Sequence, residues 1–146
     1  MDARSSTADA VDDGPRVAAS LTRTLAAWGT ASLVGGGLLA LGTSHPTTRA
    51  LGQQTAAWGA VNMAIAGVGA LRSGEHPARA AQLRRTLLVN AGLDVGYIAA
   101  GAHLAHHRST LRGRVSPDAA RGHGLAVVGQ GMALLALDLT YARRLA

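Results

Sequence analysis

Residues 86–107 read TLLVNAGLDVGYIAAGAHLAHH, and this stretch decides the fold. It holds a single acidic residue, Asp94, and neither lysine nor arginine. An α-helix rises about 1.5 Å per residue, so a stretch of roughly 20 apolar residues matches the hydrocarbon thickness of a bilayer. The segment therefore predicts a transmembrane helix with an acid inside it.

Three more charge-poor windows of about 20 residues lie between arginines elsewhere in the chain, and the last of them holds the acid Asp138. The connections between windows are short and contain Pro46, Pro77 and Pro117, which we interpret as helix terminators. Short connections make consecutive helices pack antiparallel. The sequence predicts an all-α, four-transmembrane-helix, up-and-down bundle. Its helices are predicted over residues 25–42, 51–71, 86–107 and 122–141.

The arginine distribution predicts the orientation of this bundle. Residues 1–18 are acidic and polar, and we expect a disordered cytoplasmic tail before a membrane domain over residues 19–146. With that tail inside, nine of the fourteen arginines fall on the cytoplasmic side. The sequence thus predicts a multi-pass protein of the bacterial inner membrane with both termini in the cytoplasm.

Composition excludes several classes of function. The chain has no cysteine, so disulfides and thiolate metal sites are excluded. The net charge of +6 comes from arginines at the ends of apolar runs rather than along one helical face, so nucleic acid is not an expected partner. His103 and His107 could chelate a metal at i, i+4 spacing, but solvated interfacial histidines are the more ordinary interpretation. Neither metal nor cofactor is predicted.

The first two predicted helices are similar to each other. AAWGTASLVGGGLLAL (26–41) aligns without gaps on AAWGAVNMAIAGVGAL (56–71), which pairs Trp28 with Trp58 and Ser32 with Asn62. Because consecutive spans point in opposite directions, a true repeat would be an inverted one. Chance similarity between Ala-, Gly- and Leu-rich segments is the alternative. The 19 glycines, many of them inside the helices, predict close helix packing.

Polar residues inside the apolar windows are the candidate site. A carboxyl group in mid-membrane costs several kcal/mol, so it faces the bundle interior and marks a functional site or a hydrogen-bond network. Helical spacing places these residues on one stripe of each helix, at depths of about 7 to 21 Å from the arginine flanks. The stripes hold Gln54, Trp58 and Asn62 on the second helix, Asn90, Asp94 and Tyr97 on the third, and Gln130 and Asp138 on the fourth.

Three stretches resemble a family of small four-helix bacterial membrane proteins to which no function is assigned. They are WGAVNMAIAG (58–67), LLVNAGLDVGYIAAG (87–101) and GHGLAVVGQGMALLALDLTY (122–141). The resemblance covers residues 51–141, and its signature is N-A-G-L-D-x-x-Y with a later Q-G and D. An asparagine is common in that family after the helix-two tryptophan, where this chain has Gly59. The resemblance implies the four-helix fold and a shared polar set, and no chemistry.

The leading interpretation is a membrane-embedded pocket that binds a small lipophilic molecule, such as an isoprenoid or lipid-like compound. Transformation of that molecule by acid/base chemistry is an extension of this interpretation. Asp94 would be the central acid, Asp138 a second acid and Tyr97 part of the catalytic set. The expected ligand-binding residues are Trp58, Asn62, Asn90, Gln130 and Gln54. Two alternatives stay open: a proton-coupled transporter acting as a homodimer, and a non-catalytic membrane assembly subunit. In each case membrane lipids are the surrounding partners.

Overall fold

Four α-helices and no strand make up the part of the chain that the structure, a computed structural model, describes: residues 13–73, 79–107 and 113–146. The prediction of an all-α fold with four helices is confirmed. Three of the helices, Asp13–Leu41, Ala80–His107 and Pro117–Arg143, are each long and apolar enough to cross a membrane. The helices are α1 (Asp13–Leu41), α2 (Pro46–Arg72), α3 (Ala80–His107) and α4 (Pro117–Arg143).

Each helix begins earlier than its apolar window. Helix α1 begins at Asp13, so residues 13–18 of the predicted tail are helical, while residues 1–12 lie outside the described residues. The extension has a packing cause: Val17 and Leu21 of α1 pack against buried Leu87 and Tyr141 from α3 and α4. Tertiary contacts of this kind override the local signal of charged flanks.

The prolines predicted to terminate helices instead begin them. Pro46 and Pro117 stand in the first turn of α2 and α4, where the missing proline N–H has no helical partner to lose. Ser116 caps α4, since its Oγ accepts a hydrogen bond from the backbone N–H of Ala119 at 3.2 Å. Pro77 lies outside the described residues.

The helices do not all pack against their neighbours in sequence. Helices α1 and α2 pair closely, α3 and α4 pair closely, and α2 packs on α4. The consecutive helices α2 and α3 make almost no backbone contact over the residues described, which departs from the simple up-and-down arrangement. A glycine explains the α2–α4 contact: Gly122 lies directly against the Thr47 carbonyl oxygen and the Ala50 side chain.

Glycines set the distance within each close pair. A Cβ atom added to Gly36 would lie 2.7 Å from the Gly52 carbonyl oxygen, and one added to Gly52 would lie 2.6 Å from the Gly36 oxygen. Gly101 and Gly124 face each other in the same reciprocal way across the α3–α4 pair. The predicted role of glycine in close helix packing is thus met at these positions.

Small and polar side chains fill much of the interior of the bundle, whereas its exterior is apolar. Leu41 is 88% exposed and Leu71 is 80% exposed, and large aliphatic side chains of all four helices point outward. A water-soluble bundle has the reverse distribution, because large aliphatic side chains drive its core formation. The buried polar side chains are Ser32, Asn62, Asp94, Gln130 and Asp138.

Burial follows the internal similarity between α1 and α2. The buried positions of the two aligned segments coincide at the 30-residue offset of the alignment. These positions lie in the interface of an antiparallel helix pair, in which Gly29 approaches Gly59. The aligned positions therefore serve the same packing role in both helices. They are Gly29, Ser32 and Gly36 on α1 and Gly59, Asn62 and Ala66 on α2.

Candidate functional site

Gln130 joins α4 to α1 through both ends of its side-chain amide. The Trp28 indole Nε1 donates to Gln130 Oε1 at 2.9 Å, and Gln130 Nε2 donates to Ser32 Oγ at 3.1 Å. A cavity of about 210 Å³ between α1, α2 and α4 adjoins this link. The structure thus uses Gln130, which the sequence predicted as a ligand-positioning group, to connect helices.

Trp58 and Tyr97 bring α2 and α3 together at one level of the bundle. Their ring centroids lie 5.6 Å apart with a 70° angle between the planes, an edge-to-face contact. Tyr97 is 43% exposed and Trp58 is half-buried, so this aromatic pair stands at the edge of the interior. Trp58 and Tyr97, both predicted as site residues, are therefore in contact with each other and connect two otherwise separate helices.

Asn62 and Asp94 lie at matching levels behind the aromatic pair. Asn62 follows Trp58 by four residues on α2, and Asp94 precedes Tyr97 by three on α3. Because the two helices run in opposite directions, both steps lead toward the same end of the bundle, by about 6 Å and 4.5 Å. Asn62 is 1% exposed and Asp94 is 4% exposed. We call Trp58, Asn62, Asp94 and Tyr97 the α2–α3 polar cluster.

Three atoms of this cluster are buried without a hydrogen-bond partner among the described residues. They are the indole Nε1 of Trp58, the amide Nδ2 of Asn62 and the carboxyl Oδ2 of Asp94. An unsatisfied buried polar group costs about 1–3 kcal/mol, so native interiors rarely keep several of them in one place. These three atoms lie within adjacent turns of α2 and α3, so three hydrogen-bonding positions of the cluster are unfilled among the described residues.

The remaining predicted residues lie around the cluster rather than in it. Asn90 is exposed, on the same edge of α3 as Tyr97, and Gln54 is half-buried one turn before Trp58. Asp138 is buried and interacts electrostatically with Asp94. The structure places Asp138 next to Leu137, which packs on the apolar cluster at the end of the bundle near the α1 N-terminus.

Two groups of residues were not predicted as site residues. Trp28 bonds to Gln130, and its alignment with Trp58 was the signal that could have found it. Tyr141 Oη lies 3.1 Å from Ser20 Oγ and 2.7 Å from Thr24 Oγ1, so it ties the end of α4 to α1. A sequence shows the polar stripe on α4 but does not show that Ser20 and Thr24 meet it.

The histidines at the end of α3 lie on the surface of the helix. His103 and His107 are exposed, with ring centroids 4.3 Å apart. Among residues 13–73, 79–107 and 113–146, no group of three His, Asp or Glu side chains could hold a metal ion. His123 has a buried Nδ1 without a partner in the same part of the chain.

Comparison with known proteins identifies a family but no activity. Residues 24–139 match a family of unknown function, DUF6992. No curated protein and no solved structure matches the chain. The prediction of an uncharacterised family is confirmed, and the match begins in α1, earlier than the stretch over which the resemblance was noted.

Proposed function

The chain belongs to the DUF6992 family, whose description assigns no function, and we propose that it is a four-span membrane protein that binds a small lipophilic molecule at the α2–α3 polar cluster. One observation supports this most directly. The cluster holds three buried polar atoms without partners, beside an aromatic pair that reaches the outer surface of the bundle. An amphiphilic molecule supplies both the missing polar partner and an apolar body.

The distribution of side chains supports a membrane location. Lipid replaces water as the solvent of the outer surface, so exposed leucine, valine and isoleucine side chains are favourable there. Small and polar residues then fill the interior, where glycine and alanine allow close approach of the backbones. The exposed aliphatic side chains and buried amides of this chain follow that pattern.

Helix α2 is proposed as the fourth span even though its overall composition is less apolar. Asn62, which lowers the mean hydropathy of α2, is 1% exposed and does not face the outside. The outward residues Val61, Ile65 and Val68 are apolar and exposed. At 27 residues α2 is also long enough, and it packs between α1 and α4.

A cysteine-labelling experiment tests this topology, since the natural chain has no cysteine. We expect a membrane-impermeable maleimide to label Ser44→Cys and Ser116→Cys on intact bacterial cells, and to label Ser73→Cys only after lysis. All three serines are exposed. Ser44 and Ser73 lie at opposite ends of α2, so identical labelling of the two positions would show that α2 does not cross the membrane and that the four-span proposal is wrong.

A purely structural role for the polar cluster is less well supported. In such a role Asp94 would accept hydrogen bonds from neighbouring side chains and lock the bundle. The atoms that would form this lock, Asn62 Nδ2 and Asp94 Oδ2, have no partner within the described residues. Interhelical side-chain hydrogen bonds among the described residues lie elsewhere, including those at Gln130 and at Tyr141.

Acid/base transformation of the bound molecule is the chemical extension of this proposal. A carboxyl group in a water-poor interior can hold a proton, and a protonated acid can donate it to an alkene or carbonyl. Asp94 is the acid at the cluster, Tyr97 is the hydroxyl group nearest to it on the same helix, and Asp138 is a second acid in electrostatic contact with Asp94. Binding is the first property to establish.

Photolabelling tests binding directly. The purified chain in lipid nanodiscs would be irradiated with two diazirine-bearing isoprenoid probes, an alcohol and its methyl ether, and the labelled peptides mapped by mass spectrometry. We expect saturable labelling near Trp58 and Tyr97 by at least one probe. Labelling that rises linearly with probe concentration and spreads over all exposed helix faces would reflect bulk lipid contact and would overturn the proposed site.

A further inference from the structure

The three unpartnered atoms of the α2–α3 polar cluster differ in hydrogen-bonding character. Trp58 Nε1 is a donor only, and Asn62 Nδ2 is also a donor, whereas Asp94 Oδ2 is an acceptor when the proton of the carboxyl group lies on the other oxygen. A molecule that satisfies all three must accept two hydrogen bonds and donate one. This combination restricts the polar group of any ligand much more than burial alone does.

The segment of α1 that aligns with this part of α2 shows how such a group is satisfied. Trp28 and Ser32 on α1 have the same i, i+4 spacing as Trp58 and Asn62 on α2. On α1, the single side chain of Gln130 accepts from the tryptophan and donates to the serine. In the part of the chain that the structure describes, no side chain takes the corresponding place between Trp58 and Asn62.

We propose that the polar head of the bound molecule is a single hydroxyl group, an inference that rests on the proposed function. A hydroxyl oxygen has two lone pairs, which would accept from Trp58 Nε1 and Asn62 Nδ2, and one O–H, which would donate to Asp94 Oδ2. A carbonyl group cannot donate, and an ammonium group cannot accept. A carboxylate, like a carbonyl group, has no hydrogen to donate. The ligand class is therefore a lipophilic alcohol.

The hydrocarbon part of such an alcohol would leave the cluster on the side of Tyr97, whose ring is partly exposed. Helices α2 and α3 make almost no backbone contact, and the aromatic pair bridges them. Tyr97 is 43% exposed, and Asn90 is exposed on the same edge of α3. A chain attached to a hydroxyl group at Asp94 would pass the Tyr97 ring and continue into the surrounding lipid.

The alcohol and the methyl ether differ in the proposed hydrogen bond to Asp94, because the ether retains the acceptor oxygen but has no O–H. A hydrogen bond between uncharged groups contributes about 0.5–1.5 kcal/mol, so the alcohol should half-saturate the wild-type chain at a concentration roughly two- to tenfold lower than the ether. Asp94→Leu, which removes the acceptor, should reduce this preference, whereas Val89→Ala, which changes an exposed residue on the same helix, should preserve it.

The possible outcomes separate this inference from the proposed function. Saturable labelling by both probes at equal concentrations would keep the binding site but overturn the hydroxyl assignment, and would leave water as the source of the oxygen between the three atoms. Saturable labelling by neither probe would overturn the site itself. The wild-type ratio of half-saturating concentrations tests the inference even if a variant does not fold.

Discussion

Gly59→Ala is expected to destabilise the bundle by about 1–3 kcal/mol, although alanine is the better helix former. A Cβ atom at this position would overlap the backbone of α1, since it falls directly on the Leu33 amide nitrogen and 2.6 Å from the Gly29 carbonyl oxygen. A backbone cannot rotate away as a side chain can, so α1 and α2 must move apart. We expect a lower midpoint of thermal unfolding when the unfolding of the detergent-solubilised protein is measured by circular dichroism.

Gly67→Ala is the matched control on the same helix. A Cβ atom there would have no atom within 4 Å, and position 67 is exposed. The substitution therefore gains the helix propensity of alanine, up to about 1 kcal/mol, without a clash. The two variants should shift the unfolding midpoint in opposite directions. Equal shifts would show that α1 and α2 do not approach each other at Gly59 as described.

Asp94→Leu should weaken saturable photolabelling while leaving the stability of the bundle unchanged or higher. The substitution removes the acceptor for the ligand, and the loss of one hydrogen bond raises the half-saturating concentration of the alcohol probe roughly two- to tenfold. It also removes a carboxyl oxygen that is buried without a partner in the described residues. Removing an unsatisfied polar group from an apolar environment does not break a bond and relieves its desolvation cost.

Gln130→Leu provides the contrasting stability measurement. This residue is as buried as Asp94, 4% exposed in both cases, but both ends of its amide are bonded. Its replacement leaves Trp28 Nε1 and Ser32 Oγ without these bonds and should destabilise by about 1–3 kcal/mol. If Asp94→Leu destabilised the bundle as much as Gln130→Leu, the carboxyl group would be a structural lock, and the binding site would lose its central residue.

The helices were predictable because each of them contains a long segment without lysine or arginine. Their true starts were not, because Val17 and Leu21 extend α1 by packing on residues far away in the chain. Helix connectivity was equally hard to read. Short connections indicate which helices can be antiparallel. The α2–α4 contact, however, depends on the absence of a side chain at Gly122, which lets α4 approach the backbone of α2 at Thr47.

The candidate site was predictable as a set of stripes and not as a set of contacts. Spacing by three and four residues correctly turned Asn62 and Asp94 inward, and both are almost fully buried. Asn90 and Tyr97 lie on the same predicted stripe as Asp94 but at the margin of the buried face, and both are exposed. Which edge of the buried face a neighbouring helix covers depends on the rotation of each helix about its axis and on the crossing angle between the helices. The sequence periodicity gives neither of these angles. For the same reason the sequence could not show that Gln130 faces Trp28 instead of Asp94.

The separation of α2 from α3 has a consequence for the order in which the protein is made. A nascent chain can close the α1–α2 hairpin as soon as both helices have left the ribosome, because their glycine contacts need no other element. Helix α3 then has almost no surface of α2 to rest on, and its partner α4 is still being synthesised. During that interval the backbone of α3 at Asp94 lacks the contact that α4 later makes through Gly131. The bundle is therefore completed by its last helix, and the interval before α4 arrives is when an insertion factor or chaperone would have the most to protect.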